Sequence, residues 1–319
     1  MHAIDPLTLK FANLPCPRPQ SGEVVIQVHA AGVNRADLLQ VAGHYPPPPG
    51  ASDILGLEVA GVVVAASPAV GSIDVGQRVM ALLTGGGYAQ YVTVPEGQCL
   101  PIPSHLDMVQ AAALPEALAT SYLNLIMLGK LQAGETVLIH GGSGGVGSIA
   151  IQLATQHGAR VLTTAGSADK CDRCRQLGAA VAVNYHDGDA IEQLRAGAGG
   201  DGVDLIVDIL GAGGLVDNLS LLATDARMVC IGMQRGRRTE IDLGSLLTKR
   251  LQLIGSTLRA LPAERKAEIV AAMRQHVNTI EPQVHATLPL RDFVRAHQLL
   301  DDEETFGKIV LAVAPPAED

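Results

Sequence analysis

The chain has 319 residues, enough for about two domains and a substantial core. Hydrophobic residues reach 47%, yet aromatics are only 3% and tryptophan is absent, so Ala, Val, Leu and Ile must build the core, as in a parallel α/β protein. A net charge of −9 excludes a protein whose main business is coating nucleic acid or anionic membrane. In chain order, Met1-His2-Ala3-Ile4-Asp5-Pro6 has no basic n-region and no apolar h-region, so no signal peptide is expected. Five cysteines, an odd number, point to a reducing compartment, and the expectation is a cytoplasmic protein. Short strands are expected over Leu7 to Phe11 and Glu23 to His29, with Pro15, Pro17, Pro19 and Gly22 between them. Ala30 to Ala42 reads as a turn that becomes a short helix, and Gly43 to Gly50 as a stiff polyproline loop. Leu55 to Ala66, Gln77 to Leu82 and Ala89 to Val94 complete a compact β-barrel-like domain over roughly the first 110 residues. Ala111 to Leu128 is apolar but interrupted by Pro115, Glu116, Ser121 and Asn124, which makes it a buried helix and not a membrane span.

From about Pro115 strands alternate with helices: Thr136 to Ile139, Arg160 to Thr164, Ala180 to Val183, Val203 to Asp208, Arg227 to Ile231 and Leu251 to Ile254. That series predicts a doubly wound parallel sheet. A helix over Pro262 to Thr279 and a strand over Gly307 to Val313 return toward the first domain, and Ala314 to Asp319 reads as a loose tail.

Within the series, Glu135 to Ser167 is strand, glycine turn, helix and strand, one βαβ unit. Its glycines fit both Gly142-x-Gly144-x-x-Gly147 and Gly141-x-x-Gly144-x-x-Gly147, so backbone can approach a pyrophosphate while the helix N-terminus points amides and positive dipole at it. A dinucleotide site for NAD places Asp or Glu about 20 residues later, on the ribose hydroxyls. Here stand Thr164-Ala165-Gly166-Ser167 and then Lys170, with no acid before Asp169. Small residues leave room for a 2′-phosphate and the lysine supplies charge, which favours NADPH. Cys171-x-x-Cys174 lies among charged residues that read as a helix, with no second ligand pair to make a metal site. Arg235-Gly236-Arg237-Arg238 reads first as a solvated loop, and second as an attraction for cofactor phosphates. Asp208 reads as a cap at its strand end.

The blocks AGVNRADLLQVAGHYPPPPGASDILGLEVAG, ALLTGGGYAQYVTVPEG, LPEALATSY, VLIHGGSGGVG, TTAGSADK, GSTLR and FGKIVL together resemble the medium-chain dehydrogenase/reductase superfamily over essentially the whole chain. The resemblance is closest to its zinc-free quinone oxidoreductases, the zeta-crystallin-like proteins and above all the tumour-suppressor-induced quinone oxidoreductase branch. It implies a GroES-like β-barrel catalytic domain over 1–115 with 258–319, and a Rossmann domain, doubly wound and NADPH-binding, over 116–257, with nicotinamide and substrate in the cleft between them. Where zinc-dependent members have a ligand Cys this chain has Asn34, and where they have Gly-His-Glu it has Gly56-Leu57-Glu58. With no convergent ligand set, no metal is expected. Without a Lewis acid, an acceptor that spreads the incoming hydride charge itself, a quinone or an enone, needs less help than a simple carbonyl.

By the same resemblance Asn34 and Tyr45 line the substrate cleft. Tyr45 offers either a hydroxyl for a developing oxyanion or a stacking wall for a flat quinone, or it only anchors the proline loop. Asp37 is expected to hold the turn, and Leu39 replaces a tyrosine of zeta-crystallin-like members. The resemblance places Gly141, Ser143, Gly144, Gly145, Val146 and Gly147 on the pyrophosphate, and Gly166, Ser167, Lys170 and Tyr185 around the 2′-phosphate. It places Gly232 and Met233 after a sheet strand, Ser256, Thr257 and Leu258 at the nicotinamide amide, and Thr120 at a helix start beside the nicotinamide ribose. A homodimer formed through the late strand around Met228 to Gly232 or its neighbour is implied. The functional expectation is therefore a zinc-independent NADPH:quinone reductase. A 2-alkenal or enone reductase is one alternative, and an NADPH-binding sensor or structural protein with little turnover is another.

Overall fold

The computed structural model describes residues 2–4 and 11–314. Most of the strand expected over Leu7 to Phe11, and the tail from 315 onward, lie outside the described residues. The chain divides into two compact units, Met1–Ala119 with Leu258–Asp319, and Thr120–Thr257. The first division falls inside a helix and the second directly after a sheet strand.

The discontinuous unit holds a small pair, β1 (His2–Ile4) and β2 (Phe11–Asn13), and the long strand β3 (Glu23–Val33). Helix α1 (Arg35–Val41), strands β4 (Glu58–Ala66), β5 (Arg78–Leu82), β6 (Tyr91–Pro95) and β7 (Cys99–Pro101), and helix α2 (Met108–Ala112) follow. Helix α3 (Pro115–Tyr122) leads out of the unit. The expected turn from Ala30 is instead the last part of β3. Residues Ala30 to Val33 pair with a strand from the far end of the chain, Ala312 to Ile309, and that partner keeps them extended. The apolar run Ala111 to Leu128 is not one helix. Pro115 starts α3, where its missing N–H is harmless, and α3 passes into a π-helical turn over Leu123–Leu128.

The α/β unit alternates β8 (Thr136–Ile139), α4 (Gly145–Gln156), β9 (Arg160–Ala165), α5 (Ala168–Gln176) and β10 (Val181–Asn184). It continues with α6 (Ala190–Ala198), β11 (Val203–Asp208), α7 (Leu215–Leu221), β12 (Leu222–Cys230), α8 (Leu243–Lys249) and β13 (Gln252–Gly255). Six parallel strands take the order β10-β9-β8-β11-β12-β13, the doubly wound arrangement. Its chain direction reverses between β8 and β11, so the crevice at the carboxyl end of β8 is where this architecture takes a ligand.

The chain then re-enters the first unit with α9 (Ala263–Met273), β14 (Val284–Pro289), α10 (Phe293–Asp301) and β15 (Lys308–Ala312). The expected helix to Thr279 is shorter, ending in a 3₁₀ turn over Arg274–His276. Strands β14 and β15 extend a mixed sheet in the order β14-β15-β3-β4-β5-β7, with β6 also on β3. Among the described residues no helix is long and apolar enough to cross a membrane.

The β3–β4 pair is tightly packed at Gly61. A Cβ on Gly61 would lie 2.0 Å from the Gln27 carbonyl oxygen. Gly61→Ala must therefore push β3 and β4 apart, and urea unfolding is expected to show a loss of about 3 kcal/mol; an unchanged midpoint would contradict this packing.

Candidate active site

Strand β8 delivers the chain into a turn whose glycines are needed for separate reasons. Gly141 has φ +72°, a conformation side chains resist, and a Cβ on Gly142 would lie 2.1 Å from Thr163 Oγ1. A Cβ on Gly147 would lie 2.1 Å from the Gly141 carbonyl oxygen, so only glycine lets α4 start this close to the turn. Ser143 is part of the turn, and Gly144 is the N-cap of α4 without a side-chain cap. The amides of Gly145, Val146 and Gly147 open the helix at the positive end of its dipole, an arrangement that can hold an anionic pyrophosphate.

A buried polar chain braces this turn. The Gly141 amide donates to Thr164 Oγ1 at 3.2 Å, and that oxygen lies 3.1 Å from His140 Nδ1. His140 Nε2 lies 2.7 Å from Asn218 Oδ1, and Asn218 Nδ2 donates to Asp208 Oδ1 at 3.1 Å. Burial pushes the His140 pKa down, so the ring is neutral. The donor directions are consistent when Nε2 carries the proton and Nδ1 accepts from Thr164. Asp208 also caps the strand end by accepting from the Leu210 and Gly211 amides.

At the end of β9, Ser167 caps α5 by accepting from the Lys170 amide. A Cβ on Gly166 would lie 2.6 Å from Tyr185 Oη, and the Tyr185 amide donates to the Ala165 carbonyl. Gly166, Ser167, Lys170 and Tyr185 are thus one local group, with no carboxylate among them. Cys171 and Cys174 are buried on α5, and burial pushes both thiols up, Cys174 to about 12, so they are poor nucleophiles and ligands.

Other expected residues stand elsewhere in the unit. Gly232 and Met233 follow β12 beside the loop after β11, and Ser256 and Thr257 follow β13, with the Ser256 amide bonded to the Cys230 carbonyl. Thr120 is not at a helix start. Pro115 begins α3, which puts Thr120 in its C-terminal half, where its carbonyl accepts from Asn124 Nδ2. Leu258 is buried and opens the segment returning to the other unit.

The discontinuous unit carries its own buried polar cluster. Asn34 ends β3 and caps α1, and its amide is engaged at both ends: Nδ2 donates to Glu58 Oε1 at 3.0 Å, and Oδ1 accepts from Lys308 Nζ at 2.5 Å. Lys308 also pairs with Glu58 Oε1 at 2.6 Å, and Glu58 Oε2 accepts from the Glu116 amide at the start of α3. Asp37 is fully buried and accepts from the Asn34 and Gly56 amides and the Tyr88 hydroxyl. Burial raises its pKa to about 6 against those hydrogen bonds and the Lys308 charge. Tyr88 Oη also meets His297 Nε2 at 3.2 Å, and burial lowers the His297 pKa to about 4.

Tyr45 is held from behind. Arg259 lies 5.5 Å from its ring centroid and donates to the Tyr45 carbonyl, the Gln40 side chain and the Thr84 carbonyl. Lys266, nearly buried, donates to Thr84 Oγ1, and burial lowers its pKa to about 8. Leu39 is exposed, and its carbonyl accepts from the His44 and Tyr45 amides, so this position holds the loop through its backbone. Sequence reasoning missed Tyr88, Arg259, Lys266, His297 and Lys308. The available signal was faint: Arg259 and Lys308 lie in the GSTLR and FGKIVL blocks, and a lysine opening an apolar strand needs a partner.

Family models described as "Zinc-binding dehydrogenase" and "Alcohol dehydrogenase GroES-like domain" match residues 145–275 and 20–104. The quinone oxidoreductase of Rattus norvegicus is 32% identical over 311 residues, 96% of this chain and 94% of that protein. The chain belongs to the medium-chain dehydrogenase/reductase superfamily, among its quinone oxidoreductase-like members. Two solved relatives in that superfamily are complexed with NADPH. A mycobacterial protein is 32% identical with TM-score 0.86, covering 98% of this chain and 100% of that one. The Escherichia coli quinone oxidoreductase is 28% identical with TM-score 0.85, covering 98% of each. The chain is accordingly an oxidoreductase. In this superfamily member, among the described residues, no three His, Cys, Asp or Glu side chains gather as metal ligands.

Two buried groups titrate in opposite senses. The raised pKa of Asp37, 3.8 to about 6, contributes stability that is complete below 3.8 and lost as pH rises through 6. The lowered pKa of His297, 6.5 to about 4, contributes stability that is complete above 6.5 and lost as pH falls through 4. His297→Gln removes only the second effect. Its urea stability relative to the parent is expected to rise by about 3 kcal/mol between about pH 7 and about pH 4; a constant difference would contradict the burial of that ring.

Proposed function

We propose that this oxidoreductase is a zinc-independent NADPH-dependent quinone reductase. The observation that carries the cofactor is the end of β9, where Gly166 and Ser167 stand with Lys170 and Tyr185 and no carboxylate opposes a 2′-phosphate. When bound, NADPH supplies a hydride. The chain's own part is to hold it: the amides of Gly145 to Gly147 face the pyrophosphate, and the Gly141 turn, braced by Thr164 and His140, keeps them in place. Small residues there exclude any side chain from the path of the phosphates. Gly232, Met233, Ser256, Thr257, Leu258 and Thr120 are the residues assigned to the nicotinamide.

Tyr45 is the acceptor-side residue. Its ring, fixed by Arg259, forms a wall for a flat quinone, and its hydroxyl can donate to the oxygen that gains charge. Asn34 supports the site indirectly, since both ends of its amide are spent on Glu58 and Lys308. The ammonium of Lys308 lies against Asn34 and Glu58, the positions that resemble the zinc ligands and motif of other members, which favours metal-free chemistry. A quinone delocalises the incoming charge and suits such a site.

The proposal includes a homodimer. Among the described residues strand β13 pairs only with β12 and forms the sheet edge, with Leu253 exposed. Leu243 and Leu247, one turn apart on α8, are 63% and 77% exposed. An open edge beside exposed leucines suits a second copy of this chain.

Two measurements test this reading. NADPH and NADH oxidation by metal-stripped protein is followed with a panel of quinones and alkenals. NADPH-preferring, chelator-insensitive quinone turnover is expected; tight NADPH binding without turnover would overturn the reading, and turnover confined to alkenals would replace the quinone with an enone. Sedimentation equilibrium is expected to give the mass of two chains, with Leu253→Asp reverting to one; a monomeric parent would remove the dimer.

A further inference from the structure

Tyr185 follows β10 and Arg235 lies beyond β12, strands separated in the sheet by β9, β8 and β11, yet Arg235 Cζ stands 5.5 Å from the centroid of the Tyr185 ring. Both residues lie past the carboxyl ends of parallel strands, on either side of β8. The contact therefore crosses the crevice at the glycine turn. The charge of Arg235 is also felt by His140, the last residue before that turn, where it adds to burial in lowering the ring's pKa.

The backbone of Arg235 is fixed although its side chain is exposed. Its amide donates to the Leu210 carbonyl at 2.7 Å and its carbonyl accepts from the Gly213 amide at 3.0 Å. Gln234 and Gly236 continue the pairing, to the Ile209 carbonyl and from the Ala212 amide. The partner loop is itself capped by Asp208. Gly213 has no room for a side chain, since a Cβ there would lie 2.7 Å from Arg235 Cβ. The guanidinium at the end of this anchored stem forms no ion pair among the described residues.

An exposed guanidinium over a half-buried ring is weakly held. Its planar fork matches a phosphate monoester, which it can grip with two charge-assisted hydrogen bonds. The Tyr185 ring under it also bounds Gly166, next to Ser167 and Lys170. We propose that Arg235 is a specificity-determining residue for the dinucleotide, closing over it from the β12 side to bind the 2′-phosphate that Lys170 meets from α5. This rests on the NADPH reading above. Arg237 and Arg238, also exposed, have no such anchoring and are not assigned this role.

The test is calorimetric binding of adenosine 2′,5′-bisphosphate and of ADP to cofactor-free protein, for the parent, Arg235→Gln and Arg235→Lys, with thermal melts confirming that all three fold. Arg235→Gln is expected to weaken the 2′,5′-bisphosphate about tenfold or more, and ADP by no more than about twofold. Arg235→Lys restores only part of the loss, because it keeps the charge without the fork. Equal losses on both ligands would put Arg235 on the pyrophosphate and overturn the proposal. No loss on either, with the parent still preferring the 2′,5′-bisphosphate, would overturn it while leaving the NADPH reading intact. A parent that does not prefer the 2′,5′-bisphosphate to ADP would overturn both.

Discussion

The buried ammonium of Lys308 is the constraint on which the discontinuous unit depends. A chain that leaves this unit in α3 and returns near Leu258 has to be closed by its last strand. Hydrogen bonds of β15 to β3 do part of this, but a ladder alone tolerates slippage. Lys308 does not. Its three donors reach Glu58 Oε1, Asn34 Oδ1 and the Val33 carbonyl, so every proton of a group only 3% exposed has an acceptor. Glu58 completes the set by accepting from Asn34 Nδ2 and, through its other oxygen, from the Glu116 amide. A buried pair of charges is weak evidence for net stability and strong evidence for a fixed arrangement, because moving either partner leaves an uncompensated charge. One point therefore locks β3, β4, the start of α3 and β15. Gly32 is glycine because a Cβ there would strike Glu58 Oε1 at 2.3 Å.

From that lock the positions of Asn34 and Tyr45 follow by short steps. Asn34 is fixed by the cluster and stands at the N-cap of α1, where its backbone N–H donates to the Asp37 carboxylate. At the other end of α1, Gln40 and the Leu39 carbonyl hold the Tyr45 loop, and Arg259 clamps it. The α/β unit is organised differently. Its precision comes from backbone: glycines where a Cβ has no space, a helix started without a side-chain cap, and a neutral histidine that passes hydrogen bonds from the turn to Asp208. One unit fixes side chains with charge, and the other presents amides to charge.

The α/β unit was the more legible of the two in the sequence. Strands β8 and β11 lie over the residues read for them, because a strand buried on both faces must be a continuous apolar run. The missing acid after β9 was equally plain. What the sequence hid depends on distant partners. The end of β3 reads as a turn until β15 pairs with it, and β14, half-exposed at the sheet edge, has no strong apolar pattern to announce it. Tyr88, Arg259, Lys266, His297 and Lys308 escaped notice because a charged or polar residue in isolation reads as surface; only the fold shows that His297 is partly buried and the others enclosed. Arg235 was half seen, as a basic loop, but its place opposite Tyr185 is set by strand order and not by spacing along the chain.

The lock itself is best tested by a double-mutant cycle in urea on Lys308→Met, Glu58→Met and the double variant. Each single change strands the other charge, and a loss of about 3–5 kcal/mol is expected. The double variant removes both charges, so it should recover much of that loss and show a large favourable coupling. Losses that simply add would contradict the account, since they would mean that the two groups stabilise the unit separately and that the buried pair does not fix its arrangement.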